Sequence, residues 1–218
     1  MKKIYLLFLG LFFVGLANSF AQSKAIYVNP EFKSFLAKHE VLAVLPFKTT
    51  MKLRPRQMEK LSEQEFMDLQ LKEGFGVQNA LHSYFLKKKA KKGYTVDFQD
   101  PSRTNTLLKK AGVTYDNIED FLPEELAKIC GVDGIIHGTM HTSKPMSDGA
   151  SIALGLLVGF YGPTNSGNII INVNDGETGT LLWKYDKQLS RSLGSDTNTM
   201  VDAIMRKASR KFPYTLDN

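Results

Sequence analysis

The sequence predicts an α/β fold: a three-layer, mixed β-sheet with helices on both faces, C-terminal antiparallel hairpins and a closing helix. Three stretches carry that prediction. Val41 to Leu45 is a short apolar run stopped by Pro46, the pattern of a strand buried on both faces. Glu125 to Ile136 passes from a helical stripe through Gly131 into a second apolar strand. Thr178-Gly179 makes a turn ahead of Leu181, Leu182 and Trp183, which open the last strand.

Taken in chain order, the first element is a leader over residues 1–21. Lys2 and Lys3 precede the apolar run Ile4 to Leu16, and Ala17-Asn18-Ser19-Phe20-Ala21 puts small residues at the two positions a signal peptidase reads. Cleavage is expected between Ala21 and Gln22, which makes the mature protein periplasmic or secreted. The run is too short to cross a bilayer comfortably as a helix. Residues 22–40 lack a clear period and read as an N-terminal arm with one helical turn around Phe32, Phe35 and Leu36. Residues 41–218 then form a single α/β domain.

After the first strand, residues 48–72 mix charged and scattered apolar positions between Pro55 and Gly74, so a mobile loop with a poorly packed helix is expected there. From about Glu73 the helical period is clean. Val77, Leu81, Tyr84 and Phe85 make one stripe, and Lys87 to Lys92 form a dipole-favoured end stopped by Gly93. Tyr94 to Phe98 alternates as a half-exposed strand. Asp100-Pro101 caps and opens a helix that runs to Gly112, and Pro123, Glu124 and Glu125 open another that ends at Gly131. Val132 to Met140 is the next strand, and the alternation of strands and helices implies parallel neighbours.

Beyond it the pattern changes. Ile152, Leu154, Leu156, Val158 and Phe160 are bulky at every second position, while Ser151, Ala153, Gly155 and Gly159 between them are small. Gly162 to Gly167 turns the chain, and Ile169, Ile171 and Val173 carry an alternating strand back. That predicts a hairpin over 151–173 with one flat face. Leu181 to Leu189 is the last strand, and Asp196 is placed to cap a closing helix with Val201, Ile204, Met205 and Ala208 inward.

The strand ending Leu45-Pro46-Phe47, the passage Leu126-Ala127 to Gly131-Val132-Asp133-Gly134, and the turn from Asp175 to Leu182-Trp183 resemble bacterial envelope proteins related to the curli secretion channel CsgG. The periplasmic activator lipoproteins of penicillin-binding proteins and the N-terminal domain of TolB share that fold. The resemblance covers roughly Val41 to Lys211 and implies a non-enzymatic assembly protein of the envelope. Members are typically lipoproteins, whereas Cys130 is the only cysteine of this chain and follows no leader.

Chemistry-bearing constellations are thin. His137 and His141 are four apart, but on a strand that spacing separates them by about 13 Å, too far for one metal ion. His39 and His82 are isolated. No Gly-x-Ser-x-Gly elbow or phosphate loop occurs. Cys130, at a helix C-terminus, reads as a small buried hydrophobe. No catalytic residue, cofactor or metal is indicated. The formal net charge of +6 falls by two when Lys2 and Lys3 leave, and it is spread among 22 acidic residues, a weak case for nucleic acid.

The function expected is therefore that of an exported protein-binding or assembly module, an accessory of secretion or envelope biogenesis. The alternative is a self-assembling oligomer or channel subunit at the outer membrane, and a hydrolase built on carboxylates such as Asp133 and Asp175 ranks below both. A protein partner or a second copy is expected, with room for peripheral membrane association and with neither nucleic acid nor a small-molecule substrate. The flat face of the 151–173 hairpin is the candidate contact surface: Ser151, Ala153, Gly155, Gly159, Phe160 and Tyr161.

Overall fold

A computed structural model describes residues 26–53, 55–142, 167–189 and 197–215. Seven strands form one mixed sheet in the order β1-β7-β6-β5-β2-β4, with β3 paired to β5. The strands are β1 Ile26–Val28, β2 Val41–Val44, β3 Lys48–Met51, β4 Asp97–Phe98, β5 Gly134–Thr142, β6 Gly167–Asp175 and β7 Leu181–Leu189. The helices are α1 Phe32–Leu36, α2 Pro55–Met58, α3 Glu63–Lys92, α4 Pro101–Lys110, α5 Pro123–Cys130 and α6 Thr197–Ala208. The expected α/β architecture is the one observed.

Parallel pairing is confined to one half of the sheet. β2 lies parallel to both β4 and β5, and β3 continues along β5 where β2 stops, pairing Lys48–Met51 with Thr139–Thr142. On the other side β5, β6, β7 and β1 are successively antiparallel. Alternation along the strands divides the interior. Leu42, Val44, Ile136, Met140, Ile169, Ile171, Val173, Trp183 and Tyr185 point to one face, where α3 and α6 cover them. Ala43, Leu45 and Ile135 point to the other and meet Leu108 of α4 and Leu126, Ala127 and Cys130 of α5.

Local signals explain most helix ends. Asp100 accepts hydrogen bonds from the amides of Ser102 and Arg103 and starts α4 ahead of Pro101. Gly131 takes the left-handed conformation (φ 63°, ψ 50°) that ends α5. The buried stripe Val77, Leu81, Tyr84 and Phe85 seats α3, with the Phe85 ring stacked on Phe98 at 4.8 Å.

Three expectations change. Residues 48–72 are not a loop with a poorly packed helix. Lys48–Met51 is a strand, and α3 starts at Glu63 rather than near Glu73 because Ser62 and Glu65 form a reciprocal capping box. Gly74 therefore lies inside a helix, where its missing side chain lets the backbone press against Phe47, whose amide donates to the Gly74 carbonyl at 3.2 Å. The N-terminal arm is not outside the sheet, since Ile26, Tyr27 and Val28 pair with Tyr185, Lys184 and Trp183. The second strand of the expected 151–173 hairpin, moreover, has both edges occupied. Residues 167–175 pair with β5 on one side and with β7 on the other. Residues 151–161 themselves, and Asp196, lie outside the described residues.

Candidate functional site

Ser151, Ala153, Gly155, Gly159, Phe160 and Tyr161 belong to the connection from Thr142 at the end of β5 to Gly167 at the start of β6, outside the described residues. Of the residues singled out for chemistry, His39 and Asp175 come together. The His39 Nε2 lies 2.8 Å from the Asp175 Oδ1, and its Nδ1 lies 2.6 Å from the Tyr214 hydroxyl. Asp175 also accepts from the Thr178 amide and hydroxyl and from the Glu177 amide. Burial pushes its carboxyl up, but the Thr178 and His39 hydrogen bonds outweigh that and hold it below the ordinary range. Tyr214, desolvated and facing Asp175 and Asp133, is pushed far up.

This cluster has the composition of an acid–base relay and the geometry of a structural clamp. Both imidazole nitrogens are bonded within the protein, and His39, Asp175 and Tyr214 are all buried. Asp133 is equally committed, accepting the Glu40 and Val41 amides at 2.8 Å each. An open groove of about 790 Å³ borders the clamp between α5 and the β6–β7 turn. Its rim carries Lys38, Glu124, Lys128 and Glu177, and Lys38 pairs with Glu177 at 3.6 Å.

His137 and His141 sit on β5 opposite Asn172 and Asn168 of β6. The His137 Nε2 lies 3.0 Å from the Asn174 Oδ1, and burial lowers the His137 pKa against the opposing pull of that bond. Among the described residues no three His, Cys, Asp or Glu side chains converge as a metal site. Cys130 is buried, and desolvation pushes its thiol up to about 11, which removes nucleophilic character near neutral pH.

The surface the sequence reading missed is the second face of β5, β6 and β7. α5 packs on β5 and β6 on this side of the sheet. In register across the strands this face presents His137–Asn172–Lys184, Thr139–Ile170–Asp186 and His141–Asn168–Gln188. Where α5 stops, a hollow of about 270 Å³ opens between apolar walls that include Pro46, Ile118, Phe121 and Leu126, with His137, Thr139 and Asn172 on its sheet side. The signal was present as the polar half of an alternating pattern whose apolar half alone had been read.

A mixed seven-stranded sheet with helices on both sides and, among the described residues, a largely polar second face over β5, β6 and β7 defines the class: an α/β domain. Solved structures with a related arrangement are a lipoprotein from Neisseria meningitidis (14% identity, TM-score 0.42, covering 78% of this chain and 99% of that one) and the LpoB C-terminal domain from Salmonella enterica (9% identity, TM-score 0.35, 73% and 96%). A PelC dodecamer from Paraburkholderia phytofirmans is a third (9% identity, TM-score 0.34, 82% and 94%). No family model matches the chain, and no curated protein matches its sequence. The likeness to the curli channel and to TolB rests on sequence motifs alone.

Proposed function

We propose that this chain is a non-enzymatic protein-binding module of the bacterial envelope, exported by its N-terminal leader, that receives a protein partner on the open face of β5, β6 and β7. The observation that carries the reading is that face itself: three nine-residue strands in register, bearing amide, imidazole and hydroxyl groups beside an apolar hollow. Polar strand faces often simply meet water. Here the hollow adds the concave apolar socket that an anchoring side chain of a partner fills, with hydrogen-bonding groups around it. The commitment of His39, Asp133 and Asp175 to internal bonds supports binding over hydrolysis. The segment 151–161, whose small residues permit close approach, joins two of these strands and belongs to the same proposed surface.

Site-specific photo-crosslinking in envelopes tests this reading. Probes at Asn172 and Lys184 on the open face should give discrete adducts that a probe at the exposed Lys109 of α4 does not, and Ile170→Arg should abolish them. Adducts at multiples of the chain's own mass would assign the face to self-assembly. Adducts absent from the face, or equal at all three positions, would sink the proposal.

A further inference from the structure

The fold brings two separately encoded basic stretches to one place. α3 and α6 run side by side in the same direction: Gly76 packs near Thr197, and eight residues on the Tyr84 hydroxyl donates toward the Met205 carbonyl and lies 2.9 Å from the Ser209 Oγ. Their C-termini therefore point the same way at one end of the pair, and the segments beyond them pair, with the Thr95 amide donating to the Tyr214 carbonyl and Tyr94 bridging Thr215. α3 contributes the exposed Lys87 and Lys91, and Lys88 laid over the Tyr84 ring at 5.5 Å; α6 and the turn after it contribute the exposed Arg206, Lys207 and Arg210. Two acidic groups stand beside them, Asp97, which pairs with Lys89, and Asp202 near Tyr84.

Helix dipoles do not account for this much charge. Two helix C-termini present about one negative elementary charge between them, which one or two lysines would complement. Adjoining the cluster, Arg210 and Lys211 border a groove of about 400 Å³ whose other walls include Val28, Phe32, Leu36, Pro213 and Lys33. Val28 is 39% exposed at the sheet edge, and Leu86 is 45% exposed next to Lys87. A broad cluster of long cationic side chains interleaved with exposed apolar groups matches an anionic lipid surface, which offers spread negative charge over an apolar layer.

We infer that the joined C-terminal ends of α3 and α6 are a docking surface for anionic phospholipid membranes. It goes beyond the proposed partner site, which lies on the opposite side of the sheet, and its test is independent of that reading.

The full chain is incubated with sedimentable vesicles of phosphatidylcholine alone or of phosphatidylcholine mixed with phosphatidylglycerol. The apolar N-terminal run with Lys2 and Lys3 is the same in every variant, so the difference between variants on the mixed vesicles reads the basic surface. Binding should be selective for the mixed vesicles and should fall with added salt. A basic residue at such a surface contributes about fivefold in partitioning. Lys87→Gln, Lys91→Gln, Arg206→Gln and Arg210→Gln combined should therefore lower binding by at least about fiftyfold. Lys52→Gln, Lys60→Gln, Lys109→Gln and Lys110→Gln combined remove the same charge from exposed sites elsewhere and should lower it only slightly. The pair Lys87→Gln and Lys91→Gln serves if the fourfold variant fails to fold. The inference is overturned if neutral and mixed vesicles bind equally, if the two fourfold variants lose binding equally, or if polyglutamate or duplex DNA competes the chain off the vesicles at matched charge.

Discussion

His39 and Asp175 meet through a 2.8 Å hydrogen bond between side chains that are 2% and 4% exposed, across 136 residues of sequence. With Tyr214 on the other imidazole nitrogen, the bond ties together the end of the N-terminal arm, the β6–β7 turn and the C-terminal segment. Three elements far apart in the sequence are fixed in one place.

Removing one partner of a buried, hydrogen-bonded pair leaves the other unsatisfied, which costs about 3–5 kcal/mol. Asp175→Ala should fall in that range, because it also strips the Thr178 hydroxyl and amide of their acceptor. Tyr214→Phe removes a single hydroxyl and should cost about 1–3 kcal/mol. Urea unfolding of both variants checks the ranking, and a Tyr214→Phe loss exceeding that of Asp175→Ala would show that the aspartate is not the centre of the clamp.

Stability should decline in two steps on acidification. Burial lowers His137 and His82 from their ordinary value of 6.5, so between the folded and unfolded values the unfolded chain binds more protons. That contribution is full above about pH 6.5 and is lost as pH falls below it. Asp175 and Asp100 are lowered from 3.8, Asp175 by the Thr178 and His39 bonds acting against burial and Asp100 by the Ser102 and Arg103 amides. Their contribution is present above the unfolded value and disappears as pH falls through the folded one, giving the second step below about pH 4. Thermal midpoints measured against pH should show both, and His137→Gln, which keeps a donor toward Asn174, should flatten the first.

Trp183 is fully buried, lies edge-on to Phe212 at 5.5 Å, and donates its indole N–H to the Lys211 carbonyl at 2.9 Å. Trp183→Ala should cost about 3–5 kcal/mol. Trp183→Phe should recover most of the packing while leaving that carbonyl without its donor, a residual loss of about 1–3 kcal/mol. Superimposable unfolding curves for wild type and Trp183→Ala would contradict the packing described.

Legibility in the sequence followed how local each determinant is. Asp100-Pro101, the stripe from Val77 to Phe85 and the glycine stop at Gly131 act over a few residues, and each element appears where those signals put it. The start of α3 was equally local, in Ser62 and Glu65, but the charged residues around it masked the stripe continuing through Leu69. β1 and β3 are three and four residues long and are strands only because β7 and β5 offer edges to pair with, which no short window reveals. The clamp was invisible for the same reason, since nothing near His39 in sequence points to Asp175 or Tyr214. The second face could be read as the polar half of β5, β6 and β7, but how far α5 covers it depends on where that helix ends.

Two glycines two residues apart, Gly74 and Gly76, on different sides of the helix, should respond to alanine in opposite directions. Both lie within α3, where replacing glycine gains about 0.5–1 kcal/mol of helix stability if space allows. At Gly76 a methyl group would meet only the Thr197 side chain at 3.8 Å, an ordinary contact, so Gly76→Ala should raise the unfolding midpoint. At Gly74 the same methyl would collide with the Phe47 carbonyl oxygen and approach the Tyr115 ring to 2.8 Å. The carbonyl is fixed, because the Phe47 amide is itself bonded to Gly74 and the Tyr115 hydroxyl accepts from the Thr49 amide at 2.8 Å. Relief would require α3 to move off the β2–β3 junction, so Gly74→Ala should lose more than the helix gains, a net cost of about 1–3 kcal/mol typical of overpacking. Denaturant unfolding of the two single variants decides the matter. Stabilisation by both would mean that the contact between α3 and Phe47 is loose enough to admit a methyl group, and that Gly74 is tolerated in the helix rather than required by it.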